Sequence, residues 1–188
     1  MEYFENKHFK NIDFTTTPIE KGDYDDCLFT NCNFANSNLS GVSFTECRFE
    51  NCDLSLAKVA NTSFKDIAFL NCKLLGIHFE DCKPFLLSFQ FENCVLNLSS
   101  FYQLKLKETL FSNCRMEETD FVEAQLQKAK FENCDLLNAH FENTNLKNAD
   151  FSTSHNISLD PENNIMQGSI FSQTQLSGLL SKYRIRIV

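Results

Sequence analysis

Residues 129–153 read AKFEN CDLLN AHFEN TNLKN ADFST, five blocks of five in which the third residue is always Phe or Leu. The first residue of each block is Ala, Cys or Thr, and the remaining positions are mostly polar. A period of five matches neither the 3.6 of an α-helix nor the 2 of a β-strand. Two inward residues spaced by two, followed by a polar stretch, predict a short extended segment and then a corner.

The same period runs through most of the chain. A large apolar residue stands at every fifth position from Phe4 to Phe79 and again from Phe91 to Phe151, and all 29 of these positions are apolar or aromatic. Mostly small residues stand two positions earlier, and all nine Cys occupy that slot. If each period forms one side, four sides close a square, and one coil contains twenty residues.

A recurring dipeptide supports the coil length independently. Asn-Cys occurs every twenty residues, with one step of twenty-two, at 31–32, 51–52, 71–72, 93–94, 113–114 and 133–134. One corner therefore carries an Asn in successive coils, which predicts a ladder of side-chain amides beside a stack of cysteines.

Composition restricts the class of protein. The 188 residues include 43% apolar residues and carry a net charge of −8, which indicates a folded protein without direct nucleic-acid binding. No apolar run is long enough for a membrane span, and residues 1–10 do not resemble a signal peptide. Together with the odd number of cysteines, this predicts a cytoplasmic protein without a disulfide framework.

The units Ala149-Asp150-Phe151-Ser152-Thr153 and Ser37-Asn38-Leu39-Ser40-Gly41 resemble the repeat unit of pentapeptide-repeat proteins. The resemblance covers roughly residues 4–153 and implies an all-β fold, a right-handed quadrilateral β-helix. We therefore expect the repeat domain at 1–153, with a two-residue bulge within 83–90. A C-terminal loop, a short helix and a strand that caps the rod and mediates dimerisation are expected at 154–188.

The ending Leu179-Leu180-Ser181-Lys182-Tyr183-Arg184-Ile185-Arg186-Ile187-Val188 resembles the tail of the topoisomerase-protecting branch of this family, which includes Qnr-type and microcin-immunity proteins. In that branch the tail joins two monomers end to end, and the rod binds DNA gyrase in place of DNA. The resemblance implies a homodimer that binds gyrase or topoisomerase IV and protects it from quinolone-like drugs or toxins. The alternative is a scaffold module that binds an unrelated protein.

The residues themselves favour a binding protein over an enzyme. The cysteines could suggest a zinc or redox site, but side chains stacked in single file cannot converge tetrahedrally, so small apolar filling is the favoured interpretation. No Gly-rich phosphate loop or HExxH motif is present. We expect no catalytic residue, metal, cofactor or small-molecule substrate.

Two outer surfaces are candidates for a partner. The face centred on Leu39, Val59, Phe79, Phe101, Phe121 and Phe141, called the acidic face below, bears five carboxylates against Lys58, namely Glu80, Asp81, Asp120, Glu123 and Glu142. Carboxylates on a rod could take the place of DNA phosphates, although charged outer faces also serve solubility. The second candidate is the bulge, where Phe85 and Leu86 either fold over the core or form an exposed apolar knob.

The tail supplies a candidate dimer interface. Ser172 is placed to cap a helix over about 173–183, with several apolar residues on one side. An open β-helix end must be covered, and the helix is sufficient for that. The strand that follows, with apolar residues at alternate positions, is not needed for a cap and therefore favours a dimer interface. The predicted interface residues are Leu176, Leu179, Leu180, Tyr183, Ile185 and Ile187.

Overall fold

The computed structural model describes residues 2–186, and they form a β-helix of parallel strands with a short helical tail. The β-helix is right-handed, as is usual for parallel strands joined by crossovers. No helix within this span is long and apolar enough to cross a membrane. The strands, in chain order, are β1 (Glu2–Glu5), β2 (His8–Lys10), β3 (Gly22–Asp25), β4 (Leu28–Thr30), β5 (Ser43–Thr45), β6 (Arg48–Glu50), β7 (Ser63–Lys65), β8 (Ile67–Leu70), β9 (Phe89–Glu92), β10 (Leu110–Ser112) and β11 (Lys130–Glu132).

The predicted coil of twenty residues is confirmed by the strand register. Phe29 pairs with Phe49 and Phe111 pairs with Phe131, whereas Phe69 pairs with Phe91 across the bulge, a step of twenty-two. Two sides of the square are continuous sheets, in the orders β1-β3-β5-β7 and β2-β4-β6-β8-β9-β10-β11. The other two sides are held by isolated parallel bridges, including Asn33 to Asp53 and Ser100 to Asp120.

Stacked aromatic rings fill the interior. Phe91, Phe111 and Phe131 lie in one column, with ring centroids 5.2 and 4.9 Å apart and interplanar angles of 2° and 11°. The neighbouring column meets this one edge to face, with Phe111 and Phe121 centroids 5.9 Å apart at 81°. The sequence period therefore places rings from successive coils face to face and rings from adjacent sides edge to face, the two arrangements that aromatic quadrupoles favour.

The small slot has a second requirement besides size. The Sγ of Cys52 donates to the carbonyl of Phe29, 3.4 Å away in the preceding coil, and Thr119 Oγ1 donates to the carbonyl of Leu96 at 2.9 Å. Ser154 makes the equivalent bond to Phe131. Cys, Ser and Thr therefore suit this slot because they are small and can hydrogen-bond to the coil before them.

The corners are formed by residues in the left-handed region. The Asn residues of the Asn-Cys corner have φ of 52° or 53°, and many other corner residues have similar values. The predicted Asn ladder is correct only in part: Asn31 donates to Asn11 at 3.2 Å and Asn133 to Asn113 at 3.3 Å, but the Asn residues between them do not continue it. Asn recurs there chiefly because it tolerates the left-handed conformation.

The bulge interrupts one sheet, and the core beside it is filled by a residue outside the five-residue series. The ladder β1-β3-β5-β7 stops before residues 82–88, and Phe79–Asp81 form a 3₁₀ turn. Phe89 occupies the small slot yet is buried, with its ring 5.6 Å from Phe64 and 5.2 Å from Phe79. Phe89 is therefore a core residue, although its position outside the five-residue series did not predict this. Its ring fills the space left where the Phe64 column is broken.

The C-terminal segment covers the last coil. Repeat-like pairing continues beyond residue 153, with Asn145 bridged to Ile165 and Asp150 to Ile170. The predicted helix over 173–183 is shorter than expected: α1 (Leu176–Leu179) lies between 3₁₀ turns at Gln173–Gln175 and Ser181–Tyr183. No strand forms within 184–186, and Ile187 lies outside the described residues.

One buried amide attaches the tail to the coil. The Gln175 amide donates to the carbonyls of Phe151, at 2.7 Å, and Ser154. Its oxygen accepts from the Ser172 N–H at 2.7 Å, so Ser172 starts the turn as the sequence predicts. These three bonds satisfy backbone groups that would otherwise be orphaned at the end of the β-helix.

Candidate protein-binding surfaces

The acidic face brings its five carboxylates to one side of the rod, although each is held by a different local structure. Glu80 and Asp81 lie in the 3₁₀ turn, Asp120 lies in a bridge between Ser100 and His140, and Glu123 has a left-handed φ of 58° at a corner. The Glu123 N–H donates to the carbonyl of Glu142 at 2.8 Å, so these two residues are neighbours in successive coils. Coils are about 4.8 Å apart, so the carboxylates extend over three steps, roughly 14 Å.

Neighbouring side chains orient two of these carboxylates, and a backbone N–H orients a third. His78 Nδ1 lies 2.9 Å from Glu80 Oε1, and Gln103 donates to Glu123 Oε2 at 2.7 Å. Asp120 Oδ1 accepts from the Val122 N–H at 2.8 Å. Asp81 and Glu142 are exposed. The second oxygen of Glu80 is buried, so this carboxylate adds charge rather than an accessible acceptor. The exposed carboxylates Asp81 and Glu142 can accept hydrogen bonds from Arg or Lys of a partner.

The bulge presents the two predicted apolar side chains to solvent. The side chain of Phe85 is 71% exposed and that of Leu86 is 63% exposed, so the interpretation in which they fold over the core is wrong. Phe89 fills the core in their place. The ammonium of Lys65 lies 5.8 Å from the centre of the Phe85 ring, within the range of a cation–π contact. The bulge is an exposed apolar knob beside a cation.

A second apolar surface lies on another part of the rod and was not predicted. Leu56 and Leu98 stand two coils apart at one corner, with Gly76 between them, and we call these three residues the leucine ridge. Leu56 is 52% exposed and Leu98 is 54% exposed. Both have left-handed φ values, 57° and 60°, which cost a residue with a Cβ roughly 1–2 kcal/mol. The sequence signal was available, because these are apolar residues in an outer position that is otherwise mainly polar.

The predicted dimer residues gather at the C-terminal end. Leu176, Tyr183 and Ile185 are largely exposed, Leu180 is half-buried, and Leu179 packs against the core. Ile165 and Ile170 of the last coil add further exposed apolar area beside them. Tyr183 also has a partner within its own chain, because its hydroxyl donates to Glu162 Oε1 at 2.7 Å.

An ionic cluster fixes this end of the tail. Lys182 Nζ lies 2.6 Å from both Asp160 Oδ1 and Glu162 Oε2. The hydrogen bond from Lys182 lowers the pKa of each carboxyl below its ordinary value. The tail is therefore held by charge at one point and by the Gln175 amide at another.

The cysteines are placed as structural groups. All nine are buried and unpaired, and burial raises the pKa of the Cys47 thiol to about 12. Within residues 2–186, no three His, Cys, Asp or Glu side chains converge in a way that could hold a metal ion. A thiol with so high a pKa is a poor nucleophile at neutral pH.

Comparison with known proteins agrees with this architecture. A family model described as a pentapeptide repeat region matches residues 22–89 and 84–156. A structure of trypsin-treated QnrB1, described as a plasmid-mediated fluoroquinolone resistance protein, aligns over 100% of this chain and 92% of its own, with a TM-score of 0.74 and 21% identity. Full-length QnrB1 aligns over 98% of this chain and 100% of its own, with a TM-score of 0.64 and 18% identity. No curated protein sequence matches this one. At these identities the structural likeness establishes the fold.

Proposed function

The chain belongs to the pentapeptide-repeat family, and we propose that it binds a type II DNA topoisomerase, DNA gyrase or topoisomerase IV, through its acidic face. In this proposal the rod occupies the site of duplex DNA and relieves poisoning by quinolone-like drugs or toxins. The observation that carries the proposal is the alignment of five carboxylates along one side of a parallel-stranded rod. The likeness to QnrB1, described as a fluoroquinolone resistance protein, supports the choice of partner.

The charge of the rod limits how it can compete with DNA. B-DNA carries one negative charge per about 1.7 Å of its axis. This chain has a net charge of −8 over about seven coils, or roughly 34 Å at about 4.8 Å per coil, which is one net charge per roughly 4 Å. Competition therefore depends on shape and on individual carboxylates rather than on charge density alone. We expect binding to depend less steeply on salt than the binding of DNA does.

The proposal is tested with purified gyrase in a supercoiling assay containing ciprofloxacin. We expect the protein to restore supercoiling at low concentration, or to inhibit gyrase directly at higher concentration, because a DNA mimic competes with the substrate as well as with the poisoned complex. Neither protection nor inhibition at micromolar protein would contradict the proposal. Recovery of a different protein and no topoisomerase in a pull-down would favour the scaffold function instead.

A matched pair of variants tests the acidic face itself. Asp81→Asn, Asp120→Asn and Glu142→Gln together remove three charges, and the amide introduced at position 120 keeps an oxygen that can accept from the Val122 N–H. The control removes three charges from a different corner, through Asp26→Asn, Glu46→Gln and Asp66→Asn. We expect the first variant to need at least ten times more protein for the same protection and the control to stay within twofold. Equal losses in both would indicate a nonspecific effect of net charge.

We also propose that two copies associate through the C-terminal end, where Leu176, Leu180 and Ile185 are accessible. Deleting residues 176–188 keeps Gln175, whose amide covers the last coil, so the β-helix should remain folded. Light scattering should then report monomers or aggregates instead of dimers. A truncated chain that remains a clean dimer would refute this interface.

A further inference from the structure

The leucine ridge is unusual in its side chains. Equivalent corner positions in neighbouring coils hold polar residues that suit a solvated left-handed corner, namely Asn36, Glu118 and Asn138. Leu56 and Leu98 share this left-handed conformation, but they carry apolar side chains and expose more than half of them. Large apolar side chains exposed at a position that neighbouring coils fill with polar residues point to a function other than folding.

Gly76 makes the ridge continuous. Gly76 also has a left-handed φ, 62°, and a Cβ at this position would lie 2.8 Å from Leu56 Cδ2. The absent side chain lets Leu56 lie across the middle coil toward Leu98. The side chain of Leu75, directly before Gly76, is also half-buried. The result is one apolar surface that crosses three successive coils.

The charges beside the ridge indicate the chemistry of its partner. A shallow groove joins the ridge to the acidic face. It is lined by Leu56 and Gly76 of the ridge and by Lys58, His78 and Asp81 of the adjoining face. Exposed ion pairs contribute little each, whereas apolar anchors surrounded by polar groups carry most of the energy of protein interfaces. An acidic face alone would bind weakly, and the ridge supplies the adjoining apolar anchor.

We propose that the leucine ridge is an apolar anchor for the protein partner of the acidic face, fitting a pocket whose far side presents Arg or Lys to Asp81. The identity of that partner as a topoisomerase rests on the proposed function. The groove continues directly into the acidic face, so a single partner surface covers both. The ridge adds affinity that does not depend on ionic strength, because no charge is neutralised there.

The test replaces both leucines with the residue that occupies equivalent corners, in the variant Leu56→Asn with Leu98→Asn. Asn tolerates the left-handed conformation better than Leu, so Tm should equal or exceed that of the wild-type protein. We expect binding to immobilised gyrase, measured at several salt concentrations, to weaken at least tenfold. The slope of affinity against salt should stay unchanged, whereas the acidic-face variant should lower it. A stable variant with impaired binding separates recognition from folding.

Control variants distinguish failure of the ridge proposal from failure of the proposed function. Glu46→Asn introduces the same residue at a left-handed corner remote from the ridge and should bind as the wild type does. If the ridge variant binds normally while the acidic-face variant does not, the ridge proposal is overturned and the proposed function stands. If the wild-type protein binds no topoisomerase, both fail. If light scattering shows that the ridge variant changes oligomeric state, the ridge contacts a second copy of the chain and the proposal is overturned.

Discussion

Replacing Phe111 with Ala should remove a ring from the centre of the aromatic columns. Phe111 is fully buried, stacked between Phe91 and Phe131 and in edge contact with Phe101 and Phe121. Loss of a buried Phe ring costs about 3–5 kcal/mol. The upper half of that range, about 4–5 kcal/mol, applies here because paired strands hold the rings on either side and prevent collapse into the cavity. At about 2–4 °C per kcal/mol for a chain of this size, Tm should fall by roughly 8–20 °C.

Urea denaturation followed by circular dichroism measures this change, and the chain contains its own matched control. Phe85→Ala removes the same ring from a side chain that is 71% exposed, so its effect should stay within about 0.5 kcal/mol. Phe111→Leu should cost less than Phe111→Ala, because Leu already fills equivalent inward positions on other sides, such as Leu96 and Leu126. A loss below about 1 kcal/mol for Phe111→Ala, or equal losses at Phe111 and Phe85, would refute the assignment of the core.

Three further outcomes follow from the tail and the thiols. The nine buried thiols should react with a disulfide reagent only after denaturation. At pH 9 Cys47 should still be protected, because its pKa of about 12 keeps the thiol neutral. Rapid labelling of the native protein would contradict this expectation. The pKa values of Asp160 and Glu162 are lowered in the attached tail, so attachment is complete above their ordinary values of 3.8 and 4.5 and is lost as pH falls through and below them. The Gly178 amide NMR signal should report this release, and Lys182→Ala should weaken the pH dependence, because Asp160 and Glu162 keep only their hydrogen bonds from the Glu162 N–H and the Tyr183 hydroxyl. Gly178→Ala should detach the tail at neutral pH, because the added Cβ would overlap the Ile157 carbonyl oxygen, and an unchanged NMR spectrum of the tail would contradict that reasoning.

The architecture could be predicted from sequence because its period is unusual. Inward Phe and Leu at every fifth position, together with small residues two positions before them, determine both the square cross-section and the register. The Asn-Cys dipeptide gives the coil length independently. Each of these signals is local and repeats many times, so one exception, such as the step of twenty-two between Phe69 and Phe91, does not obscure it.

The exceptions could not be predicted because they depend on contacts between coils. Phe89 lies in a slot that normally holds a small residue, and only the gap in the Phe64 column makes room for its ring. The Asn corners were interpreted as an amide ladder, whereas backbone conformation is the more general reason for Asn there. Leu56 and Leu98 are visible in the sequence as apolar residues in an outer position, but their exposure beside Gly76 follows only from the structure.

The tail was predicted less well than the rod, for a physical reason. It has no repeat, and its geometry depends on which groups of the last coil remain unpaired. Ser172 gave a correct signal for the start of the turn, but the length of the helix did not follow from the sequence. The four-residue α1 ends where the chain must turn so that Lys182 reaches Asp160 and Glu162.

The two-residue bulge shows how this architecture can change its length without changing its faces. After the insertion the register returns to twenty residues at once, with Phe91 above Phe111 and Phe111 above Phe131. Extra residues between Pro84 and Leu87 therefore project outward while every later coil keeps its orientation. The coil acts as a unit of length of about 4.8 Å, so removal of one complete twenty-residue turn would shorten the rod by that amount. The bulge is thus the natural place to graft a longer segment, such as an epitope, onto an otherwise unaltered column.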